Sequence, residues 1–313
     1  MKPILRPVQP DDYPALARTA DAAFPGVVHS AAELMEEDQP QPPARAVRWV
    51  AELEGEVVGT VSYFQVPARY HPRKFWMDAW VRPDRQGRGL GSALLEHLLA
   101  ELRPHAPQVL RSFTREDLGH SLRFLERRGF VEAKRTWESW LDLTQFDPAP
   151  FAGVVEAVRA EGIAILPLSA LRDRPGWTER LLDLYNTIQA DVPDIDPATP
   201  ISREQLEADL QSASFLPDGY FIALDGDRWV GLGSLFKESE EGLLYNGVTG
   251  VRREYRGRRI ALALKLTGIA WARGQGARRM KTHNASTNRP MLAINDRLGY
   301  VRQPGWLHMI RSW

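Results

Sequence analysis

Apolar residues recur along this chain with two periods, and these predict alternating strands and helices. The clearest helix begins near Gly91 and ends near Leu102, because its leucines fall at i, i+1, i+4, i+5 and i+8 and therefore share one face. Two more helices are predicted, at 11–24 and in the residues before 128. Strands of the first half are predicted at 4–7, 47–64 (two strands that turn at Glu54-Gly55), 75–81, 109–113 and 131–143.

The second half repeats this order of elements. Strands are predicted near 163–166, 220–224, 230–236, 243–251 and 279–282, and helices near 177–191, 202–210, 261–273 and 289–298. A boundary is predicted at 147–150, because consecutive X-Pro steps there disfavour continuing either kind of element. We therefore predict an α/β protein with two domains, 1–146 and 151–313.

A direct repeat supports the division into two similar domains. Residues 81–94 recur as residues 251–264, and residues 127–131 align with 297–301 at the same separation. The identical positions in the longer segment are Val81, Arg82, Gly87, Arg88, Ala93 and Leu94. Residues 57–62 also resemble 229–234, with a small change of register that one short loop could absorb. Three matches in one order indicate a duplicated unit.

The composition indicates a soluble globular protein without a broad charge of either sign. Lysine and arginine together number 40, as do aspartate and glutamate, which argues against general attraction to nucleic acid or anionic lipid. No apolar run is long enough to span a bilayer, and residues 1–7 lack a signal-peptide core, so we expect a cytoplasmic protein without a membrane partner. The absence of cysteine excludes disulfides, thiolate metal ligands and an acyl-cysteine intermediate.

The repeated loop has the character of a phosphate site. A strand predicted to end at Val81 is followed by a loop rich in glycine and arginine and then by a helix, whose first N–H groups and dipole favour an anion. Arg85 and Arg88 add positive charge. A P-loop would require a lysine before Ser92, and a dinucleotide fingerprint would require a different glycine spacing, so both alternatives fit poorly.

Residues 86–91, Gln-Gly-Arg-Gly-Leu-Gly, are similar to the Gln/Arg-x-x-Gly-x-Gly/Ala signature of the GCN5-related N-acetyltransferase (GNAT) family. The Val-x-Pro that precedes the signature is present at 81–83, and residues 124–130 resemble the family's later aromatic-Tyr-Glu-x-x-Gly-Phe segment. The resemblance covers both halves. It implies two tandem GNAT folds, each a mixed, mostly antiparallel, splayed sheet flanked by helices.

The resemblance also implies acetyl-CoA as co-substrate and direct transfer of its acetyl group to a primary amine of a small molecule or peptide, in a monomer or homodimer. In the first half, the residues implied to bind acetyl-CoA are Ala79, Trp80, Val81, Gln86, Gly87, Arg88, Gly89, Leu90, Gly91 and Ser92. In the second half they are Val251, Arg256, Gly257, Arg258, Arg259, Ile260, Ala261 and Asn288.

Each half departs from the family pattern in its own way. The family's acid, a tyrosine in the last helix, is replaced by Leu125 and Asn295, neither of which can protonate a thiolate. The second half has Arg259 where the signature requires glycine, and a side chain there is expected to crowd the phosphate. Which half is catalytic stays open, as does the alternative of a non-catalytic acyl-CoA-binding or scaffolding protein.

Two residues are candidates for acceptor-side catalysis. Asp78 lies three residues before Val81, where some relatives carry a carboxylate beside the acceptor, although a solvated strand carboxylate is the alternative. His283 follows a predicted strand and could relay a proton, although a hydrogen-bonded structural histidine is the alternative. The acidic loop with Asp191, Asp194 and Asp196 is either a site for a cationic amine or an acidic surface turn.

Overall fold

A computed structural model describes residues 3–23, 30–40, 42–66 and 70–313. The chain forms two compact units, and each unit contains a segment from the other half of the sequence. The first unit comprises Met1–Ala133 together with Leu307–Trp313, and the second comprises Lys134–Trp306. Among the described residues, every helix is too short or too polar to cross a lipid bilayer.

The strands, in chain order, are β1 Ile4–Pro7, β2 Ala46–Leu53, β3 Glu56–Phe64, β4 Lys74–Val81, β5 Val109–Arg115, β6 Val131–Asp142, β7 Ile163–Pro167, β8 Phe215–Asp225, β9 Arg228–Lys237, β10 Leu243–Val251, β11 Arg279–Ala285, β12 Val301–Arg302 and β13 Trp306–Ser312. The helices are α1 Tyr13–Ala23, α2 Ala31–Glu37, α3 Leu90–Leu102, α4 Gly119–Glu126, α5 Val154–Ala160, α6 Trp177–Gln189, α7 Arg203–Asp209, α8 Ile260–Gly274 and α9 Arg289–Leu298.

The sheet of the first unit opens at one end between two parallel strands. Strands β1 to β4 are paired antiparallel in sequence order. Strand β4 then pairs in parallel with β5, but only from Lys74 to Trp76, so the rest of β4 runs on without β5 as its neighbour. Strand β13 follows β5 in the sheet. The unpaired edge of β4 leads directly into the glycine-rich loop.

The second unit opens in the same way. Strands β7 to β10 are antiparallel neighbours, and β10 pairs in parallel with β11 only from Leu243 to Tyr245. The antiparallel partner of β11 is β6, which also carries the short β12. Both units therefore contain a mixed, mostly antiparallel sheet with a splayed parallel pair, which confirms the predicted fold class.

The repeated sequence is matched by a repeated packing contact. A Cβ at Gly59 of β3 would lie 3.3 Å from Leu94 of α3, and one at Gly231 of β9 would lie 3.2 Å from Leu264 of α8. In each unit the glycine lets the helix that follows the loop settle against the sheet. Leu94, Leu95, Leu98 and Leu102 are all buried, as the leucine spacing predicts.

Several features differ from the sequence predictions. Helices α2 and α5 and strand β13 were not predicted, and the helix predicted at 11–24 is a 3-10 turn followed by α1, with Phe24 outside the described residues. The compact units do not coincide with 1–146 and 151–313, because 134–146 lies in the second unit and 307–313 in the first. Pairing between segments so distant in sequence leaves no trace in local periodicity.

Candidate functional site

The first glycine-rich loop curls through two left-handed residues before α3 begins. A 3-10 turn, Pro83–Arg85, follows β4, and Gly87 and Gly89 then have φ of 74° and 83°. The side-chain amide of Gln86 donates to the carbonyl oxygen of Val81 at 3.0 Å, which closes the loop back onto the strand. The first N–H groups of α3 have no intrahelical acceptor and are directed out of the helix start, as an anion site requires.

The second loop has the same backbone course although one glycine is missing. Gly257 has φ of 81°, and Arg259 occupies the helix-capping position with φ of 58°. Arg256 Nε donates to the carbonyl oxygen of Val251 at 3.2 Å, in the role that Gln86 has in the first unit. Ile260 and Ala261 begin α8. Arg259 therefore adopts the left-handed conformation of the glycine it replaces, at a cost of about 1–2 kcal/mol.

The two loops differ in how their arginines are paired. Arg256 and Arg253 both donate to Asp191, with Arg253 Nε 3.0 Å from a carboxylate oxygen, and these bonds lower the pKa of Asp191. Arg258 Nε lies 3.0 Å from Glu161. In the first loop Arg88 is exposed. The positive charge of the second loop is thus partly neutralised by carboxylates.

The acidic loop after α6 is occupied by these ion pairs. Asp191 is bound to two arginines, and Asp194 lies 3.0 Å from Lys134 Nζ. The pairing connects the loop to the glycine-rich segment and to β6. It favours a role in holding the loop in place over direct capture of a cationic amine.

A cavity of about 470 Å³ lies at the open end of the first unit's sheet, a volume within the usual range for small-molecule sites. The predicted residues that line it are Asp78, Ala79, Trp80, Val81, Gln86, Gly87, Gly89, Leu90, Gly91 and Ser92. Its other wall comes from β5 and α4, of which the sequence analysis singled out only residues 124–130. The main residues of that wall are Ser112, Phe113, Thr114, His120, Arg123, Phe124, Arg127 and Arg128.

Helix α4 brings additional positive charge to the cavity and packs closely on the loop helix. Arg128 donates to Ser92 Oγ at 2.5 Å, and its guanidinium lies 3.6 Å from the ring centroid of Phe124. A Cβ at Gly91 would lie 3.1 Å from that same ring, so the third glycine of the loop permits the contact. Arg123, Arg127 and Arg128 all line the cavity, and Arg128 also contacts the loop helix through Ser92.

Neither position at which the family has an acidic tyrosine carries an acid in this chain: one is a leucine and the other is an asparagine. Leu125 is buried and lines the cavity of the first unit. Asn295 is also buried, and its amide donates to Asn284 Oδ1 at 2.6 Å. Asn288, predicted to bind the CoA arm, accepts from the backbone N–H of Met291 at 3.4 Å and so caps α9.

The two predicted catalytic residues lie in different units. Asp78 is on β4, opposite Ser62 of β3, and lines the cavity of the first unit. His283 is on β11 of the second unit, where Nε2 lies 3.1 Å from Oε2 of Glu138. Glu138 was not predicted, because only the register between β6 and β11 brings it opposite the histidine.

A buried polar network fixes the point at which β10 and β11 separate in the second unit. Asn246 accepts a hydrogen bond from Lys265 Nζ at its side chain and from Thr282 Oγ1 at its backbone carbonyl, the latter at 2.8 Å. Its amide donates to Ser234 O at 3.1 Å. Lys265 also lies 5.2 Å from the ring centroid of Tyr300. Burial lowers the pKa of Lys265 to about 7.

Comparison with characterised sequences gives the same assignment for both units. The model of the acetyltransferase (GNAT) family matches residues 13–130 and 181–300. The chain is 27% identical over 227 residues to the mycothiol acetyltransferase of Thermobispora bispora, with 71% of each chain covered. It is 26% identical over 227 residues to that of Geodermatophilus obscurus, with 71% of this chain and 69% of the relative covered.

Solved structures share the fold along nearly the whole length. A GCN5-related N-acetyltransferase from Sphaerobacter thermophilus has a TM-score of 0.72 at 23% identity, covering 99% of this chain and 95% of that chain. A tandem GNAT protein from the clavulanic acid biosynthesis pathway has a TM-score of 0.74 at 21% identity, covering 99% and 98%. With the family model matching most of its length in two copies, each containing a glycine-rich loop before a helix, this chain belongs to the GNAT acetyltransferase family as a tandem two-domain member.

Proposed function

We propose that the protein is an N-acetyltransferase that moves the acetyl group of acetyl-CoA to a primary amine of a small molecule or peptide. The observation that carries the proposal is the cavity of the first unit, which joins the glycine-rich loop to the unpaired edge of β4. Backbone N–H groups at the start of α3 fit the pyrophosphate, with Arg128 and its neighbours adding positive charge. The peptide groups of 79–81 fit the amides of the pantetheine arm.

Direct transfer suits the chemistry of the chain. Because there is no cysteine, an acyl-cysteine route is excluded, and the amine must attack the thioester carbon itself. The protein then has to align the amine, stabilise the oxygen that gains charge and accept a proton from the nitrogen. Leu125 and Asn295 supply no acid, so the proton for the leaving sulfur comes from solvent or from the acceptor amine.

The test is release of free thiol from acetyl-CoA in the presence of a panel of amines, which includes the deacetylated form of mycothiol because of the two relatives named above. Thiol release that depends on an amine, with the acetylated product identified by mass spectrometry, is the expected result. Binding of acetyl-CoA without turnover of any amine would instead support a non-catalytic acyl-CoA-binding protein.

We expect the first unit to bind CoA more tightly than the second. The first loop has glycine at position 89 and the exposed Arg88, whereas Arg256 and Arg258 of the second loop are paired with Asp191 and Glu161. Calorimetric titration of the full chain should resolve two affinities, since separated halves would each lack a strand. The order of the two affinities is checked by Arg259→Gly, which should raise the CoA affinity of the weaker site only. A higher CoA affinity at the tighter site would contradict the assignment.

Gly89→Arg, which copies the sequence of the second loop, is expected to weaken the tighter site by about 1–3 kcal/mol, or roughly 5- to 150-fold in Kd. The left-handed backbone at 89 is strained for a side chain, and the new guanidinium lies where the pyrophosphate approaches. A Cβ at this position meets no atom within 4 Å, so the fold should be kept and its stability should fall only by the backbone strain of about 1–2 kcal/mol. Gly257→Arg, in the second loop, is the matched control and should leave the affinity of the tighter site unchanged. An unchanged affinity of the tighter site in Gly89→Arg would show that the first loop does not hold the ligand.

A further inference from the structure

A histidine and a glutamate separated by 145 residues in the sequence form a half-buried pair on the second unit's sheet. His283 on β11 stands directly opposite Glu138 on the antiparallel β6. Nε2 of the histidine is 3.1 Å from one carboxylate oxygen of Glu138, and the other oxygen accepts from Trp140 Nε1 at 2.5 Å. Both oxygens of Glu138 are therefore held, which fixes the orientation of the carboxylate toward the ring.

This arrangement determines the tautomer of the imidazole. Burial disfavours the charged form of Glu138, but the hydrogen bonds from His283 and Trp140 outweigh it, and the pKa of the carboxyl falls below its usual value. An ionised carboxylate only accepts, so Nε2 must carry the hydrogen and Nδ1 must carry the lone pair. Among the described residues, none forms a hydrogen bond with Nδ1 of His283.

The pair lies where the two splayed strands separate. The last parallel pair is Tyr245 with Lys281, and His283 follows two residues later on the same face of β11. Thr282, on the opposite face, bonds to the network that contains Lys265 of α8, so His283 faces away from α8. The side chain of His283 is 31% exposed, which leaves the imidazole accessible to a ligand.

The other titratable groups near His283 are paired or hard to deprotonate, which leaves the imidazole as the candidate proton acceptor. Burial raises the pKa of Tyr245, whose ring centroid is 5.7 Å from that of His283, to about 12. On the same face, Lys281 is paired with Glu238 at 2.9 Å. The loop after α6 contributes Asp194, which is paired with Lys134.

We propose that His283 is the base that accepts the acceptor amine's proton in the second unit, and that Glu138 is the residue that positions it. The inference rests on the proposed acetyl transfer. The amine nitrogen forms a bond to the thioester carbon, the C–S bond breaks, and the sulfur leaves with the electron pair. The nitrogen's proton passes to Nδ1 of His283 and then to solvent, while a solvent proton neutralises the sulfur.

The tautomer can be tested without any turnover. Long-range ¹H–¹⁵N NMR spectra of the full chain distinguish a protonated Nε2 from a protonated Nδ1, and comparison with His283→Gln assigns the signals. We expect the Nε2–H form in the native protein and a mixture of tautomers in Glu138→Gln. A native His283 that carries its hydrogen on Nδ1 would overturn the proposal.

The role in transfer is tested by kcat and KM for the native chain and the variants. Glu138→Gln should lower kcat roughly 10- to 100-fold, with KM for acetyl-CoA little changed, because the carboxylate that holds Nδ1 in its accepting form is gone. Glu138→Asp should recover part of kcat, and His283→Gln should lower kcat at least as far as Glu138→Gln does.

Glu52→Gln is the matched control, because Glu52 accepts from Arg6 at 2.9 Å in a pair of similar exposure in the first unit. It should leave kcat unchanged. Equal kcat values for Glu138→Gln and the native chain would overturn the proposed relay. A protein that shows the expected tautomer but acetylates none of the amines would refute the proposed function and, with it, the relay's part in transfer.

Discussion

Lys265→Met is expected to make the second unit more stable below pH 7 by about 2 kcal/mol and to remove most of the pH dependence of its unfolding between about pH 7 and 10. Lys265 is 5% exposed on α8, where its Nζ donates to the buried side chain of Asn246 and lies 5.2 Å from the ring centroid of Tyr300. Methionine matches it in length and carries no charge, so the replacement removes the desolvation of an ammonium group without opening a large cavity.

The direction in which the free energy of unfolding changes with pH follows from the protons that each state binds. Burial lowers the pKa of Lys265 in the folded protein from 10.5 to about 7, whereas the unfolded chain keeps the higher value. Between these values the unfolded chain binds the extra proton, so the free energy of unfolding rises with pH. Below pH 7 both states are protonated and the native protein keeps the full penalty. The shift corresponds to at most about 5 kcal/mol, which the bonds to Asn246 and the Tyr300 ring reduce.

Urea denaturation at about pH 6 and about pH 9.5, followed by hydrogen exchange in α8 and β10, measures the effect. Lys237→Met provides the control, because Lys237 is exposed at the end of β9 and should show native pH dependence. If Lys265→Met and the native chain keep the same difference in stability between the two pH values, Lys265 does not titrate as described.

Strand β13 is expected to contribute strongly to the stability of the first unit. Leu307→Ala and Met309→Ala are each expected to destabilise the first unit by about 2–5 kcal/mol, although both residues follow the second unit in sequence. Their side chains are 2% and 1% exposed and pack in the cluster that contains Phe75, Leu94 and Leu110. Domains are stable by only about 5–15 kcal/mol, so the double variant should leave the first unit largely unfolded.

Hydrogen exchange measured by mass spectrometry distinguishes the two units. Peptides from β4 and α3 should lose protection in the double variant, whereas peptides from β9 and α8 should keep it. Ile310→Ala, a half-buried position on the same strand, serves as the control and should have a small effect. Earlier loss of protection in the second unit would show that β13 does not complete the core of the first.

The features that sequence predicted are those determined by neighbouring residues. The leucine spacing of α3, the glycine-rich loop between a strand and a helix, and the repeat of 81–94 as 251–264 each depend on a short segment, so the pattern was sufficient. The cavity wall formed by β5 and the Glu138–His283 pair depend on strand register. Such contacts are set by tertiary packing, and one sequence without relatives carries no local signal for them.

Strand exchange between the sequence halves sets an order of events during synthesis. When Ala133 leaves the ribosome, the first unit still lacks β13, which follows roughly 170 residues later. At ~5–20 residues per second, this interval is on the order of 10–30 s. During it the edge of β5 is without β13 and the apolar cluster around Phe75 is incomplete, a condition that invites association with chaperones or other nascent chains. The apolar core of the first unit can therefore be completed only after the second unit has been translated.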